Sequence, residues 1–365
     1  MDIPCIVLEK SPAPFLKPGE TLPPNAFGTL QQLGVDHLLQ ASQHDTCIGN
    51  TVIWGNDDPG MRYFFAEPYG NGWHIDRAYF EQQLCAAAIQ KGAVWLHGWS
   101  CLGMEQRGEN VFITGDNGEG ESLEIEARFG VDASGRSACL ARKAGVNRHS
   151  LDRLTGYYTV LEQPPDALAG TSFIEAVEDG WWYAAPLKNG SLVTNFMTDA
   201  DIHKVRAFAA RPWLFEKLRK TRYLKDHLRV DHPGQFGQVR IKPASTSCLE
   251  RLADKGWLAV GDAACTYDPV SSFGITAALG GSLYAALAIK DYLDGKPAAI
   301  DAYCYVQQKT FNNCMAMLGH QYGLERRWKD FPFWQRRHAY GPAVGVSEPA
   351  VRAFGPAAEA SGSGI

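Results

Sequence analysis

Apolar and polar positions along this chain follow two periodicities, which together predict an α/β protein. The short apolar run Trp257–Val260 before Gly261-Asp262 reads as a buried parallel strand, Val94–Trp99 reads as another strand, and Ile6–Leu8 before Glu9 and Phe129–Val131 before Asp132 are apolar runs that close on a carboxylate. Helical spacing predicts a helix opened by Pro23-Pro24-Asn25, running through Leu33 and stopped by Gly34. A second helix covers Ala78–Gln90, with Asp76 as its cap and Phe80, Leu84, Ala87 and Ala88 on one face. A third runs from Gly274 through Ile289. Strands are predicted in 46–66, and 101–127 alternates around Gly108 and Gly115–Gly118 as a small antiparallel meander. From about Leu151 to Gly237 the alternation is that of a half-buried antiparallel sheet. Ala298–Tyr340 is helical and aromatic, and the small residues with Gly and Pro beyond Gly341 predict a loose tail.

Composition narrows the function classes. The 365 residues are 45% hydrophobic and 21% charged, as in an ordinary globular protein of one or two domains. A net charge of -5 gives no reason to expect nucleic acid as a partner. No apolar window is long enough for a bilayer and the start has no signal-peptide layout, so no membrane role and a cytoplasmic location are expected. Nine cysteines without a CxxC read as reduced thiols. The ten histidines show no HExxH, so no metal is expected, and no GxSxG elbow is present.

The chemistry concentrates in Trp257–Gly281: a strand, an acidic turn and a helix starting at a glycine. The carboxylate of Asp262 accepts hydroxyl protons, and a free helix start faces negative charge. Gly261-Asp262-Ala263-Ala264, followed by Asp268-Pro269 and Gly274-Ile275, resembles the second flavin fingerprint of the FAD-dependent monooxygenases, halogenases and geranylgeranyl-reductase-like enzymes. The resemblance implies that Asp262 holds the ribityl chain of FAD. It also implies that the turn through Pro269 to Gly274 and Ile275 points a helix N-terminus at the isoalloxazine. Phe129–Arg136 resembles the family's DG fingerprint, whose Asp132 and Gly135 would shape the loop beside the pyrophosphate. In Trp73–Phe80 the family phrase hxDRxxF places Arg77 near the cofactor's phosphates.

Glu9 ends an apolar run, as does the acid that binds the adenosine ribose in a dinucleotide-binding unit. The phrase Val7-Leu8-Glu9-Lys10-Ser11, with Gly19-Glu20 after it, is similar to the family's and brings Lys10 into the expected site. A first strand with GxGxxG should precede Glu9 by roughly 20–30 residues, and no GxGxxG occurs in the chain. The expectation is therefore an N-terminally incomplete sequence with an exposed sheet edge. The implied fold is a glutathione-reductase-type, Rossmann-like FAD domain, discontinuous over 1–45, 74–150 and 238–297. An antiparallel-sheet substrate domain would take 46–73 and 151–237, a helical cap 298–340 and the tail 341–365.

Three flavin reactions compete within the resemblance: ring hydroxylation through a flavin C4a-hydroperoxide, halogenation, and reduction of an isoprenoid double bond. Tyr267-x-Pro269-x-x-Ser272-x-Gly274 resembles the halogenases' FxPxxSxG, with Tyr for Phe. Their WxWxIP becomes Trp181-x-Tyr183-x-Ala185-Pro186, and no lysine lies between Lys17 and Lys91, where their catalytic lysine is expected. Hydroxylation is therefore placed first and halogenation second. Trp54-Gly55, Gly180–Tyr183, Phe196–Asp201 and Gly261–Ala264 look most similar to flavoproteins that oxidise tryptophan in a partner protein to build quinone cofactors. The resemblance implies an aromatic substrate such as a peptidyl tryptophan, an aromatic slot of Trp181, Trp182 and Tyr183, and electrons from NAD(P)H or a flavin reductase. A remnant without FAD that acts only through protein contacts is the reading from a different class.

Overall fold

A computed structural model describes residues 3–12, 21–40, 44–161, 168, 170–203, 205 and 207–339. The expected Gly19-Glu20 phrase and the tail beyond 341 lie outside these residues.

The first third of the chain carries β1 (Ile6–Glu9), β2 (Thr21–Leu22), α1 (Ala26–Leu33), β3 (Asp45–Cys47), β4 (Gly49–Ile53), β5 (Gly60–Tyr63), β6 (Gly72–His74), α2 (Arg77–Gln90) and β7 (Val94–His97). The meander follows as β8 (Ser100–Arg107), β9 (Asn110–Asp116) and β10 (Ser122–Ala127), then β11 (Gly130–Asp132), α3 (Cys139–Lys143) and β12 (Arg148–Ser150). The central sheet strands are β13 (Leu154–Leu161), β14 (Thr171–Val177), β15 (Gly180–Pro186) and β16 (Leu192–Asp199). Helices α4 (Ala210–Arg219) and α5 (Leu224–Leu228) precede β17 (Arg240–Pro243), β18 (Ser247–Leu249), β19 (Ala253–Asp254), β20 (Trp257–Ala259) and β21 (Cys265–Thr266). The chain closes with α6 (Gly274–Leu293), α7 (Ala298–Gly323) and α8 (Pro332–His338).

Local signals act where they were read. Gly34 ends α1 in the left-handed region at φ 70°, where a side chain would be strained. The Asp76 carboxylate accepts from Tyr79 N at 3.0 Å and caps α2. The meander forms as the order β10-β9-β8. As predicted for a run buried on both faces, β20 pairs in parallel with β11, Leu258 opposite Val131. β1 pairs in parallel with β7. These two parallel pairs belong to separate sheets, so β1 has no second neighbour among the described strands, and Ile6 and Val131 are exposed.

The large sheet has the order β17-β13-β16-β15-β14-β4-β5 and is antiparallel except where β14 runs parallel to β4. Two expectations change here. The interval 46–73 does not all join this sheet, because β3 and β6 pair with β2 instead. Residues 210–228 are the helices α4 and α5 rather than strands. Leu214, Leu218, Leu224 and Leu228 of these helices pack on one sheet face against Tyr157, Phe173, Trp182 and Phe196. The other face carries Leu154, Ala176, Trp181 and Met197 against Leu318, Tyr322, Phe333 and Trp334 of α7 and α8. With both faces covered, the central strands β13 to β16 are mostly buried, including all eight residues of β16, while the edge strands β5 and β17 stay largely exposed. Helix α6 links the smaller layers: Ile275 and Leu279 pack with α1, while Ala285 and Ala288 pack with Ala253 and Leu258.

Candidate functional site

The site is built where β20 ends. Gly261–Ala263 make one 3-10 turn, with Gly261 at φ 53°. A Cβ on Gly261 would stand 3.3 Å from the Cβ of Ala278, so the turn lies tight against α6 and both φ and space require glycine. The carbonyls of Asp262 and Ala263 accept from Arg148 Nη2, which holds the turn from below. The Asp262 side chain stays 43% exposed, 3.9 Å from Arg136 Nε. Arg136 donates to Ser245 O at 2.7 Å, and burial holds its guanidinium below its ordinary range.

The second part is the start of α6. Asp268 accepts from Val270 N at 2.9 Å and caps the Pro269–Ser271 turn; Ser272 is left-handed at φ 51°, and the helix begins at Gly274. No side chain caps this N-terminus, and Thr276 Oγ1 in its first turn is buried without a partner. The positive end of a 20-residue helix therefore lies beside an available carboxylate, a guanidinium and an unpaired hydroxyl. A polyhydroxyl chain leading to a ring that gains negative charge fits this donor set, as the ribityl and isoalloxazine of FAD require.

Asp132 and Gly135 lie next to this turn, since Val260 N donates to Asp132 O at 2.9 Å. The Asp132 carboxylate is itself consumed, accepting from Ser134 N (3.1 Å), Ser134 Oγ (2.6 Å) and Ala141 N (3.0 Å). It shapes the loop, with Gly135 at φ 66°, rather than offering a free group. The structure thus assembles Asp132, Gly135, Gly261, Asp262, Pro269, Gly274 and Ile275. The remaining expected residues are engaged locally. Glu9 accepts from Ser11 N at 2.8 Å, Lys10 is exposed, and Arg77 pairs with Glu81 at 2.7 Å on the surface of α2.

The three-ring slot is corrected. Pleating sends Trp182 to the α4–α5 face, while Trp181 and Tyr183 point to the α7–α8 face. Trp181 is 2% and Trp182 0% exposed, so both are core residues and neither lines an open slot here. Tyr183 is half-buried, and its hydroxyl lies 2.6 Å from Thr21 Oγ1, which also meets Ser172 Oγ and His74 Nδ1. Burial pushes the His74 imidazole down to about 4.

Several contributors were not anticipated in these roles. Tyr322 OH donates to Asp268 Oδ2 at 2.8 Å and receives Trp181 Nε1–H at 3.1 Å, tying α7 to the loop before α6 and to the large sheet. Burial pushes the Asp268 carboxyl up to about 6. Asp268 was visible as part of a motif, but nothing near it in sequence points to Tyr322. Among the described residues no His/Cys/Asp/Glu group could hold a metal ion, and no helix is long and apolar enough to cross a membrane.

Comparisons with known proteins agree with this geometry. The tryptophan halogenase family profile matches residues 59–343. LodB of Marinomonas mediterranea, assigned as an FAD-dependent oxidoreductase, is 30% identical over 300 residues, covering 80% of this chain and 78% of that protein. The myxobacterial chondrochloren halogenase CndH superposes with a TM-score of 0.83 at 24% identity, covering 92% of this chain and 80% of its own. The peptidyl tryptophan dihydroxylase QhpG superposes with a TM-score of 0.74 at 20% identity, covering 92% and 78%. At those identities the two superpositions establish the fold, while the profile and the LodB match establish kinship. The chain therefore belongs to the tryptophan halogenase family of flavin-dependent oxidoreductases.

Proposed function

We propose that this chain uses FAD to oxidise an electron-rich aromatic ring, with a halide as the atom transferred. This reverses the order reached from sequence, where hydroxylation stood first, because the halogenase profile covers most of the chain. The structural observation that supports it is the Pro269–Ser272 turn leading into the uncapped N-terminus of α6. Backbone N–H groups and the helix dipole there favour a small anion and negative charge on the flavin. Bound FAD supplies two-electron transfer and activation of dioxygen. Asp262 and Arg136 orient the cofactor chain, and the large sheet, covered by α7 and α8, excludes water from one side. A flavin reductase using NAD(P)H is the electron source expected for this reading.

A second reading, oxygenation of a tryptophan in a partner protein, is favoured by the absence of lysine from 18–90. The two are separated by supplying FAD, a flavin reductase with NADH, and a panel of free tryptophan, pyrrole and tryptophan-containing peptides, with and without bromide. Mass spectrometry is expected to show a bromine isotope pattern only with bromide. Oxygen gain indifferent to halide would replace the first reading by the second, and unchanged substrates would overturn aromatic oxidation on this panel.

The cofactor assignment has its own test. Asp262→Ala removes charge-assisted hydrogen bonds to the ribityl chain, a loss of roughly 1.5–3 kcal/mol, or about tenfold or more in FAD affinity. Titration of the apoprotein with FAD, followed by flavin fluorescence, checks it. Unchanged affinity would place the cofactor elsewhere.

A further inference from the structure

We propose that Cys101 and Cys139 form a reversible disulfide that fastens the β8–β9 meander to α3, directly behind the Asp132–Gly135 turn. All nine cysteines are free thiols, so any link is a modification of the chain as it stands. Cys139 Sγ donates to Cys101 O at 3.4 Å and Cys101 Sγ donates to Gly103 O at 3.6 Å, so the two cysteines are in contact. Their elements are far apart in sequence, and the contact depends on a local irregularity. The β8–β9 register shifts between Cys101 and Gly103, a bulge in the stretch of β8 that carries Cys101, and Leu102 between them is exposed. A bulged segment has backbone slack that a regular ladder lacks, so the sulfur atoms can close the remaining distance without breaking paired strands.

Access distinguishes this pair from the other close pair. Cys248 and Cys265 face each other across β18 and β21 but are buried, sealed from a polar oxidant. Cys101 and Cys139 are half-buried, within reach of a molecule as small as hydrogen peroxide. Peroxide is also what a reduced flavin releases when its reaction with oxygen is not coupled to substrate. Burial pushes the Cys101 thiol up to about 11 and its Sγ donates to Gly103 O at 3.6 Å, so in the proposed sequence Cys139 attacks first. Its thiolate attacks the O–O bond, giving a sulfenic acid and, after protonation, one water. Cys101 sulfur then attacks the sulfenic sulfur, loses its proton and expels the second water. Two thiols lose two electrons and one peroxide gains them.

The location gives the link a consequence that rests on the FAD reading above. Cys139 N donates to Ser134 Oγ at 2.7 Å, and Ser134 in turn donates to Asp132. Drawing Cys139 toward β8 pulls on the loop that carries Arg136, the cation facing Asp262.

The test treats the reduced 365-residue chain with stoichiometric hydrogen peroxide and reads intact mass and non-reduced peptide maps. The expected result is loss of two hydrogens, one peptide pair linking Cys101 to Cys139, and reversal by dithiothreitol. Cys101→Ser should instead leave a sulfenic acid on Cys139 that dimedone traps. A link joining other cysteines, or peroxide treatment that leaves all nine thiols titratable, would overturn the proposal. These mass readouts need no flavin, so they stand or fall apart from the cofactor reading. FAD titration of the oxidised form then tests the consequence: affinity should fall several-fold and recover on reduction, and an unchanged affinity would overturn the coupling to the site.

Discussion

Asp199→Ala is expected to destabilise the fold by about 3–5 kcal/mol, the scale for breaking a buried ion pair by removing one partner. Asp199 and Arg337 are each 1% exposed, and Arg337 Nη2 donates to Asp199 Oδ1 at 2.8 Å. Arg337 also donates to Phe333 O and lies 3.5 Å over the Phe333 ring. Without Asp199 the guanidinium keeps its charge, now inside a largely aromatic core between the large sheet and α8. The neighbouring Arg336 is the control. It also donates to Asp199 Oδ2 at 2.8 Å, but its side chain is 44% exposed and it has Asp201 as a second partner. Arg336→Ala should therefore cost no more than about 1 kcal/mol. Equilibrium urea unfolding measures both. Equal, small losses would show that Arg337 is hydrated rather than held by Asp199.

The second large effect is a pH dependence with two opposing parts. Asp268 titrates at about 6 in the fold against an ordinary 3.8, mainly through burial. The folded state therefore binds this proton more tightly, and its stabilising share is full below about pH 4 and lost as pH rises through 6. His74 moves the other way, from 6.5 down to about 4. Its neutral form is the buried one, so its share is present above about pH 6.5 and lost as pH falls through 4. Each amounts to about 3 kcal/mol, and over the overlapping window they offset one another. Asp268→Asn, which keeps an acceptor for Val270 N, should expose a stability that rises with pH from about 4 to 6.5. His74→Gln should expose one that falls. Unfolding free energies across that window check both slopes, and parallel curves for wild type and variants would show that neither group titrates abnormally.

Much of the site was legible because its rules are local. An apolar run that ends in Gly261-Asp262, a Pro269 turn and an Ala-rich stretch from Gly274 specify strand, turn and helix through neighbouring residues alone. The Asp76 cap and the glycine-turned meander were readable for the same reason. The aromatic triplet was not. Alternation correctly separates Trp182 from Trp181 and Tyr183, but it says nothing about what covers each face. Here α4 and α5 cover one face and α7 and α8 the other, so rings that looked available for a ligand became core.

By itself, then, the sequence determined the strand–turn–helix that carries Asp262, its companion turn at Asp132 and the α/β class, since each depends on backbone preferences and spacing within a few residues. Tertiary structure alone decided which polar groups remain available. Asp132 is consumed by its own loop and Asp262 is left open beside Arg136. Asp268 meets Tyr322, 54 positions away, and Asp199 meets Arg337, 138 positions away. Desolvation and pairing depend on what the rest of the chain places within a few ångströms, and no local pattern encodes that distance.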